Sequence, residues 1–273
     1  MKKQFKFVHI LLFFLLIAAA CSNNQGTTDL DSNNRESATT NKEKVELTIS
    51  AAASLKETLD VIQQSYQVEH PEVSLKINFG GSGSLQHQIS QGAPVDLFFS
   101  AAEDKFDLLV EKGNIAKEEA VDLLGNELVL VVPKGDQSIK GFEDLSKAEV
   151  GKISIGTPET VPAGKYAKEA LENMDIWGNV ESKGVVYAKD VRQVLSYVET
   201  GNVDAGIVYK TDALVSDRVD IIATADPASH TPIIYPVGII KDSKNYEAAK
   251  EFITYLQSEN ALKVFEEYGF IIK

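Results

Sequence analysis

The sequence predicts an α/β protein built from parallel sheets. From Val45 onward, apolar segments of strand length alternate with segments whose apolar residues follow a helical period. Four of the strands run into turns of mostly small, uncharged residues that begin a helix, at 51–54, 80–84, 161–164 and 188–191. Residues 45–273 are numerous enough to form two packed domains.

The first 20 residues are predicted to be a secretory signal peptide. Lys2, Lys3 and Lys6 make a basic start, and residues 10–20 form an apolar run of 11 residues, too short to span a bilayer as a helix. The run ends in three alanines directly before Cys21. This order fits a bacterial lipobox and predicts lipidation of Cys21, whereas the alternative is ordinary cleavage beside an incidental cysteine. Cys21 is the only cysteine, so no internal disulfide can form.

Residues 21–44 are predicted to carry the lipid anchor and a flexible tether. After Cys21 the segment is rich in Ser, Asn, Thr and charged residues, with too few apolar residues to form a core. The folded body is therefore expected at the extracytoplasmic face of the cell membrane, held there by the lipid on Cys21.

The body that follows the tether is predicted to contain nine strands. Their expected positions are 45–50, 73–79, 95–100, 127–132, 152–156, 184–187, 205–209, 219–223 and 235–240. Two of the expected helices each place four apolar residues on one face, namely Leu55, Leu59, Ile62 and Tyr66, and Val191, Val194, Leu195 and Val198.

The four helix-opening turns predict an anion site. A helix start carries free backbone N–H groups and a partial positive charge, so several starts aimed at one point can hold an anion without a cationic side chain. Ligands of open α/β sheets bind beyond the carboxyl ends of the strands. Two turns precede residue 90 and two lie between 160 and 192, so two lobes that face each other would bring the pairs together.

In the first pair of turns, the candidate residues are Ser54 and Ser82. Ser54 either only caps its helix, in a capping box with Glu57, or also belongs to a ligand site that the small residues 51–53 make accessible. The loop 80–84 matches neither a P-loop nor a nucleophile elbow. Its place after a strand is typical of an anion nest around Ser82.

In the second pair of turns, the candidates are backbone groups. Ala163 follows Pro162 at a helix start and offers a free N–H, although a plain helix start has the same pattern. Asp190 is expected to cap its own helix, which leaves the N–H of Val191 to face a ligand. Tyr209 ends a strand, where it either closes a cleft with its hydroxyl or sits at a sheet edge.

Charge and histidine spacing argue against several classes of function. Removal of the three lysines of the signal peptide changes the net charge from −13 to −16, which argues against nucleic acid as a partner. His70, His87 and His230 have no spacing typical of a metal site. No cofactor and no catalytic residue is predicted.

Several segments, in order along the chain, carry a resemblance to a known family. They are 51–55, 92–98, 161–171, 190–192 and 206–209, and the ending 268–270 also fits. Together they resemble the periplasmic molybdate-binding proteins of ABC importers, from about residue 47 to residue 273.

The resemblance implies a two-lobed periplasmic-binding-protein fold, the Venus flytrap, with a parallel-rich mixed sheet in each lobe. Lobe 1 would comprise 45–126 plus 235–273 and lobe 2 would comprise 127–234, with chain crossings near 125–128 and 231–236. The protein would be a monomer and not an enzyme, and it would deliver molybdate, and also tungstate, to an ABC permease. Neutral groups would hold the oxyanion without a direct bond from protein to molybdenum, at Ser54, Ser82, Ala163, Val191 and Tyr209.

Three alternatives stay open. A binding protein for another oxyanion, such as sulfate or phosphate, would be favoured by an arginine at the turns, for which Arg192 is the only candidate. A secreted serine hydrolase would need a histidine beside Ser54 or Ser82, and only His87 is near in sequence. An adhesive or scaffold lipoprotein would not need converging helix starts.

Overall fold

The computed structural model describes residues 44–273, which belong to one compact unit. The predicted signal peptide, Cys21 and almost all of the predicted tether lie outside the described residues. Within 44–273, no helix has the length and apolar character needed to cross a membrane.

Eleven strands and nine α-helices make up the described part of the chain. The strands are β1 (Val45–Ala52), β2 (Val73–Gly80), β3 (Leu97–Phe99), β4 (Val121–Gly125), β5 (Leu128–Pro133), β6 (Ile153–Gly156), β7 (Val185–Ala188), β8 (Ala205–Tyr209), β9 (Val219–Thr224), β10 (Ile234–Ile239) and β11 (Ile271–Ile272). The helices are α1 (Lys56–Glu69), α2 (Ser82–Ser90), α3 (Glu103–Glu111), α4 (Pro162–Asn173), α5 (Trp177–Ser182), α6 (Val191–Glu199), α7 (Lys210–Leu214), α8 (Tyr246–Leu256) and α9 (Glu259–Glu267).

The strands form two mixed sheets. The first has the order β11-β4-β10-β3-β1-β2, with β1 parallel to both β2 and β3 and antiparallel pairing from β3 through β10 and β4 to β11. The second has the order β7-β6-β8-β5-β9, with β6 parallel to β7 and β8 and with β5 antiparallel to β8 and β9. The predicted α/β class with parallel strands in mixed sheets is confirmed.

The chain passes twice between the two sheets. It leaves the first sheet at the end of β4 and enters the second at Leu128, so the first crossing spans 125–128. It returns between the end of β9 at Thr224 and the start of β10 at Ile234. Ser229 and Thr231 still bond Asn173 and Glu169 of α4, beside the second sheet, so the return to the first sheet falls near the expected 231–236.

The predicted helix faces form part of the core. Leu55, Leu59, Ile62 and Tyr66 are all buried, as are Val191, Val194, Leu195 and Val198. Burial of such a face, rather than intrinsic propensity, supplies most of a helix's stability in a protein.

Two strands and one turn differ from the prediction. The nine predicted strands omit β4, which only residues 126 and 127 separate from β5, and β11, which has two residues. The expected turn at 51–54 begins later, because Ala51 and Ala52 continue the ladder of β1 opposite Phe79 and Gly80 of β2. Small residues are compatible with a strand when a neighbour takes up their backbone hydrogen bonds.

Candidate functional site

A small cavity lies where helix starts from both sheets meet. All five residues that the sequence analysis assigned to the ligand, Ser54, Ser82, Ala163, Val191 and Tyr209, line it. The other lining residues are Ala52, Ala53, Gly80, Gly81, Ala101, Val161 and Pro162. The predicted turns at 51–54, 80–84, 161–164 and 188–191 thus each contribute to one cavity.

The size of the cavity limits what it can hold in this conformation. Its volume, counted as the space open to the centre of a water-sized sphere, is about 10 Å³. A sphere of that volume, widened by the radius of water of about 1.4 Å, has a radius of about 2.7 Å. This is room for one compact ion of a few atoms and excludes a sugar or an amino acid.

Contacts between elements of the two sheets close the cavity. The N–H of Gly83 at the start of α2 donates to the carbonyl of Thr160, in the loop before α4, over 2.9 Å. Lys165 of α4 pairs with Asp104 of α3 at 3.2 Å between Nζ and Oδ2. The starts of α2 and α4 are therefore held against each other.

Ser82 begins α2 and is buried at the cavity wall. Its Oγ accepts a hydrogen bond of 2.9 Å from the N–H of Ala101. A serine hydroxyl that accepts one bond still has its own hydrogen to donate. Ser82 can therefore offer an O–H to a group in the cavity.

Ser54 does not form the capping box that the sequence suggested. No side-chain hydrogen bond caps the helical turn Ala53–Leu55 or the start of α1. The Oγ of Ser54 instead lies 2.9 Å from the hydroxyl of Tyr235 in β10, and Glu57 forms an ion pair with Arg192. The expectation of a capping box at Ser54 is wrong, because a buried partner 181 residues away takes the hydroxyl.

Ala163 and Val191 present backbone groups at the starts of α4 and α6. Pro162 occupies the first turn of α4, where its missing N–H leaves nothing unpaired, and Ala163 is fully buried behind it. Asp190 caps α6 by accepting a bond of 2.9 Å from the N–H of Gln193. The prediction that Asp190 caps its own helix is confirmed.

Tyr209 ends β8, which lies in the middle of the second sheet, so the alternative of a tyrosine at a sheet edge is wrong. Its hydroxyl donates to the carbonyl of Ala101 over 3.4 Å, near the upper limit for a hydrogen bond. Burial raises the pKa of Tyr209 well above its ordinary value, so the hydroxyl keeps its proton at neutral pH.

The residues that line the cavity carry no charged side chain. Arg192, in the first turn of α6, pairs with Glu57 of α1 and with Asp212 of α7, at 3.2 Å for the second pair. Burial raises the pKa of Asp212 to about 7, although the Arg192 guanidinium acts to lower it. The guanidinium of Arg192 thus forms its ion pairs with carboxylates of the protein.

The three histidines among residues 44–273 do not line the cavity. His87 is exposed and bonds the side chain of Gln91, His70 stacks on Tyr66, and His230 contacts the carbonyl of Thr231. Among residues 44–273, no group of His, Cys, Asp and Glu is arranged to hold a metal ion. The cavity can therefore offer neutral O–H and N–H donors, which suit an anion.

Comparison with known proteins identifies the family. The family model of bacterial extracellular solute-binding proteins matches residues 47–271. The chain belongs to this family. It is thus a solute-binding component of transport and not an enzyme, as the sequence predicted.

Relatives of this solute-binding protein extend over most of the chain. A Bacillus subtilis protein, YvgL, is 57% identical over 239 residues, 87% of this chain and 91% of its own length, and is provisionally named an ABC transporter substrate-binding lipoprotein. The molybdate-binding protein ModA of Haemophilus influenzae is 37% identical over 233 residues, 83% of this chain and 90% of ModA.

A solved structure supports the same fold. The substrate-binding domain of a provisionally named molybdenum ABC transporter from Clostridium difficile is 45% identical, with a TM-score of 0.65, over 84% of this solute-binding protein and 99% of that domain. The resemblance to molybdate-binding proteins and the predicted binding-protein fold are confirmed.

Sequence reasoning missed two buried polar residues behind the cavity. Asn126 lies between β4 and β5, and its amide nitrogen bonds the hydroxyl of Tyr235 at 3.1 Å. A single asparagine between two apolar strands was a usable signal for Asn126. Tyr235 gave none, because an aromatic residue inside a strand is ordinary.

Proposed function

We propose that this protein captures molybdate, and also tungstate, outside the cytoplasm and delivers it to an ABC permease. The observation that carries the proposal is the small cavity, lined by neutral donors from four helix starts and by no charged side chain. The 37% identity to a protein named molybdate-binding supports the choice of this oxyanion.

In this proposal the ligand contacts are the hydroxyls and N–H groups of Ser54 and Ser82, the N–H groups of Ala163 and Val191, and the hydroxyl of Tyr209. A buried polar atom without a partner costs about 1–3 kcal/mol, so the ligand needs a donor for nearly every oxygen. The long contact from Tyr209 to Ala101 is weak enough for that hydroxyl to turn to an anion.

Neutral donors cannot separate molybdate from sulfate by charge, since both are dianions. The selection instead depends on size, because the oxygens of the smaller sulfate cannot reach all donors of a site built for molybdate.

Closure around the ligand supplies the signal to the permease. Lobe 1, residues 45–126 plus 235–273, and lobe 2, residues 127–234, move against each other about the two crossings between the sheets. Closure is favoured because an anion bound between the helix starts interacts with both lobes at once. The protein acts as a monomer that a lipid on Cys21 holds at the extracytoplasmic face of the membrane.

Isothermal calorimetry of the purified protein with molybdate, tungstate, sulfate and phosphate tests the ligand. The proposal expects one site with tight binding of molybdate and tungstate and weak binding of the other two. Displacement of molybdate by millimolar sulfate would reject the size argument, and tight binding of sulfate or phosphate alone would assign the protein to that anion.

A further inference from the structure

A chain of buried hydrogen bonds runs from the first crossing between the sheets to the cavity wall. The N–H of Glu127 donates to Oδ1 of Asn126 over 2.9 Å, which fixes which end of the amide is oxygen. The amide nitrogen of Asn126 donates to Oγ1 of Thr211 over 2.9 Å and to the hydroxyl of Tyr235 over 3.1 Å. Asn126, Thr211 and Tyr235 are all buried.

The amide nitrogen at one end fixes the direction of the bond to Tyr235. Because an amide nitrogen only donates, the hydroxyl oxygen of Tyr235 must accept from Asn126. Tyr235 keeps one hydrogen to donate, and its hydroxyl lies 2.9 Å from Ser54 Oγ, where either oxygen can be the donor, and also bonds Tyr209. Burial raises the pKa of Tyr235 well above its ordinary value, so this hydrogen stays on the tyrosine at neutral pH.

Ser54 is the last member of the chain and lines the cavity. With Tyr235 as the donor of the bond they share, the hydrogen of Ser54 is left for the cavity that Ser54 lines. We propose that Asn126 and Tyr235 are positioning residues that hold Ser54 as a hydrogen-bond donor towards the bound anion. This proposal rests on the proposed function, because it assigns a direction to one of its ligand contacts.

The direction has a consequence for selectivity. An oxyanion without hydrogen accepts from Ser54, whereas an oxyanion that carries one, such as hydrogen arsenate, needs an acceptor for it. A fixed donor at Ser54 therefore favours molybdate over hydrogen arsenate, although both are tetrahedral dianions. A change in this preference therefore reports the direction of the hydrogen bonds between Tyr235 and Ser54. It does not report the overall affinity of the site for anions.

Two substitutions test whether the direction of the hydrogen bond to Ser54 matters for binding. Tyr235→Phe removes the hydroxyl and leaves Ser54 free to turn. Asn126→Asp, measured at about pH 9 so that the new carboxylate is ionised, replaces the donor with an acceptor. The hydrogen of Tyr235 then points to the carboxylate, Ser54 donates to Tyr235, and a lone pair of Ser54 faces the cavity.

Calorimetry with molybdate and with hydrogen arsenate measures both affinities for each variant. We expect Tyr235→Phe to weaken molybdate binding about tenfold, and both variants to lower the preference for molybdate over hydrogen arsenate by about tenfold. The added charge of Asn126→Asp weakens both dianions alike, so it does not alter the preference. In the Tyr235→Phe background, Asn126→Asp is expected to leave the preference unchanged, because the link to Ser54 is already cut.

Thr211→Val is the matched control. It removes the other partner of the Asn126 amide and keeps the bond from Tyr235 to Ser54, so the preference should stay within about twofold. A wild-type preference in Tyr235→Phe, or an equal shift in Thr211→Val, would overturn the proposal. If Asn126→Asp does not fold, as checked by thermal unfolding, the conservative Tyr235→Phe decides.

The same titrations keep the two proposals apart. If the wild-type protein does not bind molybdate, the proposed function fails, and the series is repeated with the hydrogen-free oxyanion that binds. If the wild-type protein binds molybdate and the Tyr235→Phe variant keeps its affinity and preference, the proposed function stands and the positioning role is rejected.

Discussion

Replacement of Gly83 by alanine should weaken ligand binding without weakening the fold. A Cβ atom at this position would lie 2.8 Å from Cα and 2.9 Å from the carbonyl oxygen of Thr160, in the loop before α4. Both are backbone atoms, so neither can turn away. The same methyl group would be in open space if the loop before α4 moved away from α2.

The expected loss of affinity for the ligand in Gly83→Ala has two sources. Overpacking against a backbone costs about 1–3 kcal/mol. Displacement of Thr160 also breaks the bond of 2.9 Å from the N–H of Gly83, a net loss of about 0.5–1.5 kcal/mol. Together these predict an affinity lower by about tenfold to about a thousandfold, whereas the first turn of α2 itself accepts alanine in place of Gly83.

Calorimetry with molybdate and thermal unfolding without it measure the two effects separately. Gly178→Ala is the matched control, since Gly178 also lies in a helix, α5, and a Cβ atom added there would meet no other part of the protein within 4 Å. An unchanged affinity in Gly83→Ala would refute the claim that binding requires α2 and the loop before α4 to meet. A loss of thermal stability without ligand would refute the expectation that alanine at position 83 leaves the ligand-free fold intact.

Three further predictions follow from the cavity and its surroundings. Ser54→Ala and Ser82→Ala should each weaken molybdate binding by about tenfold or more, because each removes a hydrogen bond to a charged ligand. Calorimetry measures the affinity, and an unchanged affinity in both variants would reject the site. Glu57→Gln should weaken molybdate binding by about two- to fivefold, because it removes the partly exposed ion pair between Glu57 of α1 and Arg192 of α6. The difference in affinity from the wild type should shrink at high salt. A difference that does not depend on salt would contradict an electrostatic origin. The raised pKa of Asp212, about 7 in the fold, means that the folded protein binds this proton more tightly than the unfolded chain does. Its contribution to stability is therefore complete below about pH 4 and is lost as the pH rises through about 7. The free energy of unfolding of the wild type minus that of Asp212→Asn should fall over this range, by at most about 1.4 kcal/mol per pH unit, and parallel pH profiles would contradict it.

The sequence carried most of the information about the cavity wall, because the wall is made of local features. A strand that runs into a helix start is visible in a short window, as at 80–84 and 161–164. The cap at Asp190 was predictable for the same reason, since its bond reaches only to Gln193. The order of such segments then matched a family, and the resemblance to that family implied Tyr209 as a further ligand residue.

The side-chain contacts of Ser54 and Glu57 could not be predicted, because their partners are far away in the sequence. The hydroxyl of Ser54 had a local option in the capping box and a distant one in Tyr235, and only the fold decides between them. The same holds for Glu57, whose partner Arg192 is 135 residues away. The strand β11 was missed for another reason, since two residues are too few to show a period.

A crystal structure with tungstate, in which anomalous scattering locates the tungsten, tests the central claim most directly. We predict one tungsten site in the cavity, with the oxygens within hydrogen-bond distance of groups of Ser54, Ser82, Ala163, Val191 and Tyr209 and no contact with a lysine or arginine. Tungsten at another place, or an oxygen held by a cationic side chain such as Arg192, would contradict the claim that neutral donors at converging helix starts hold the anion.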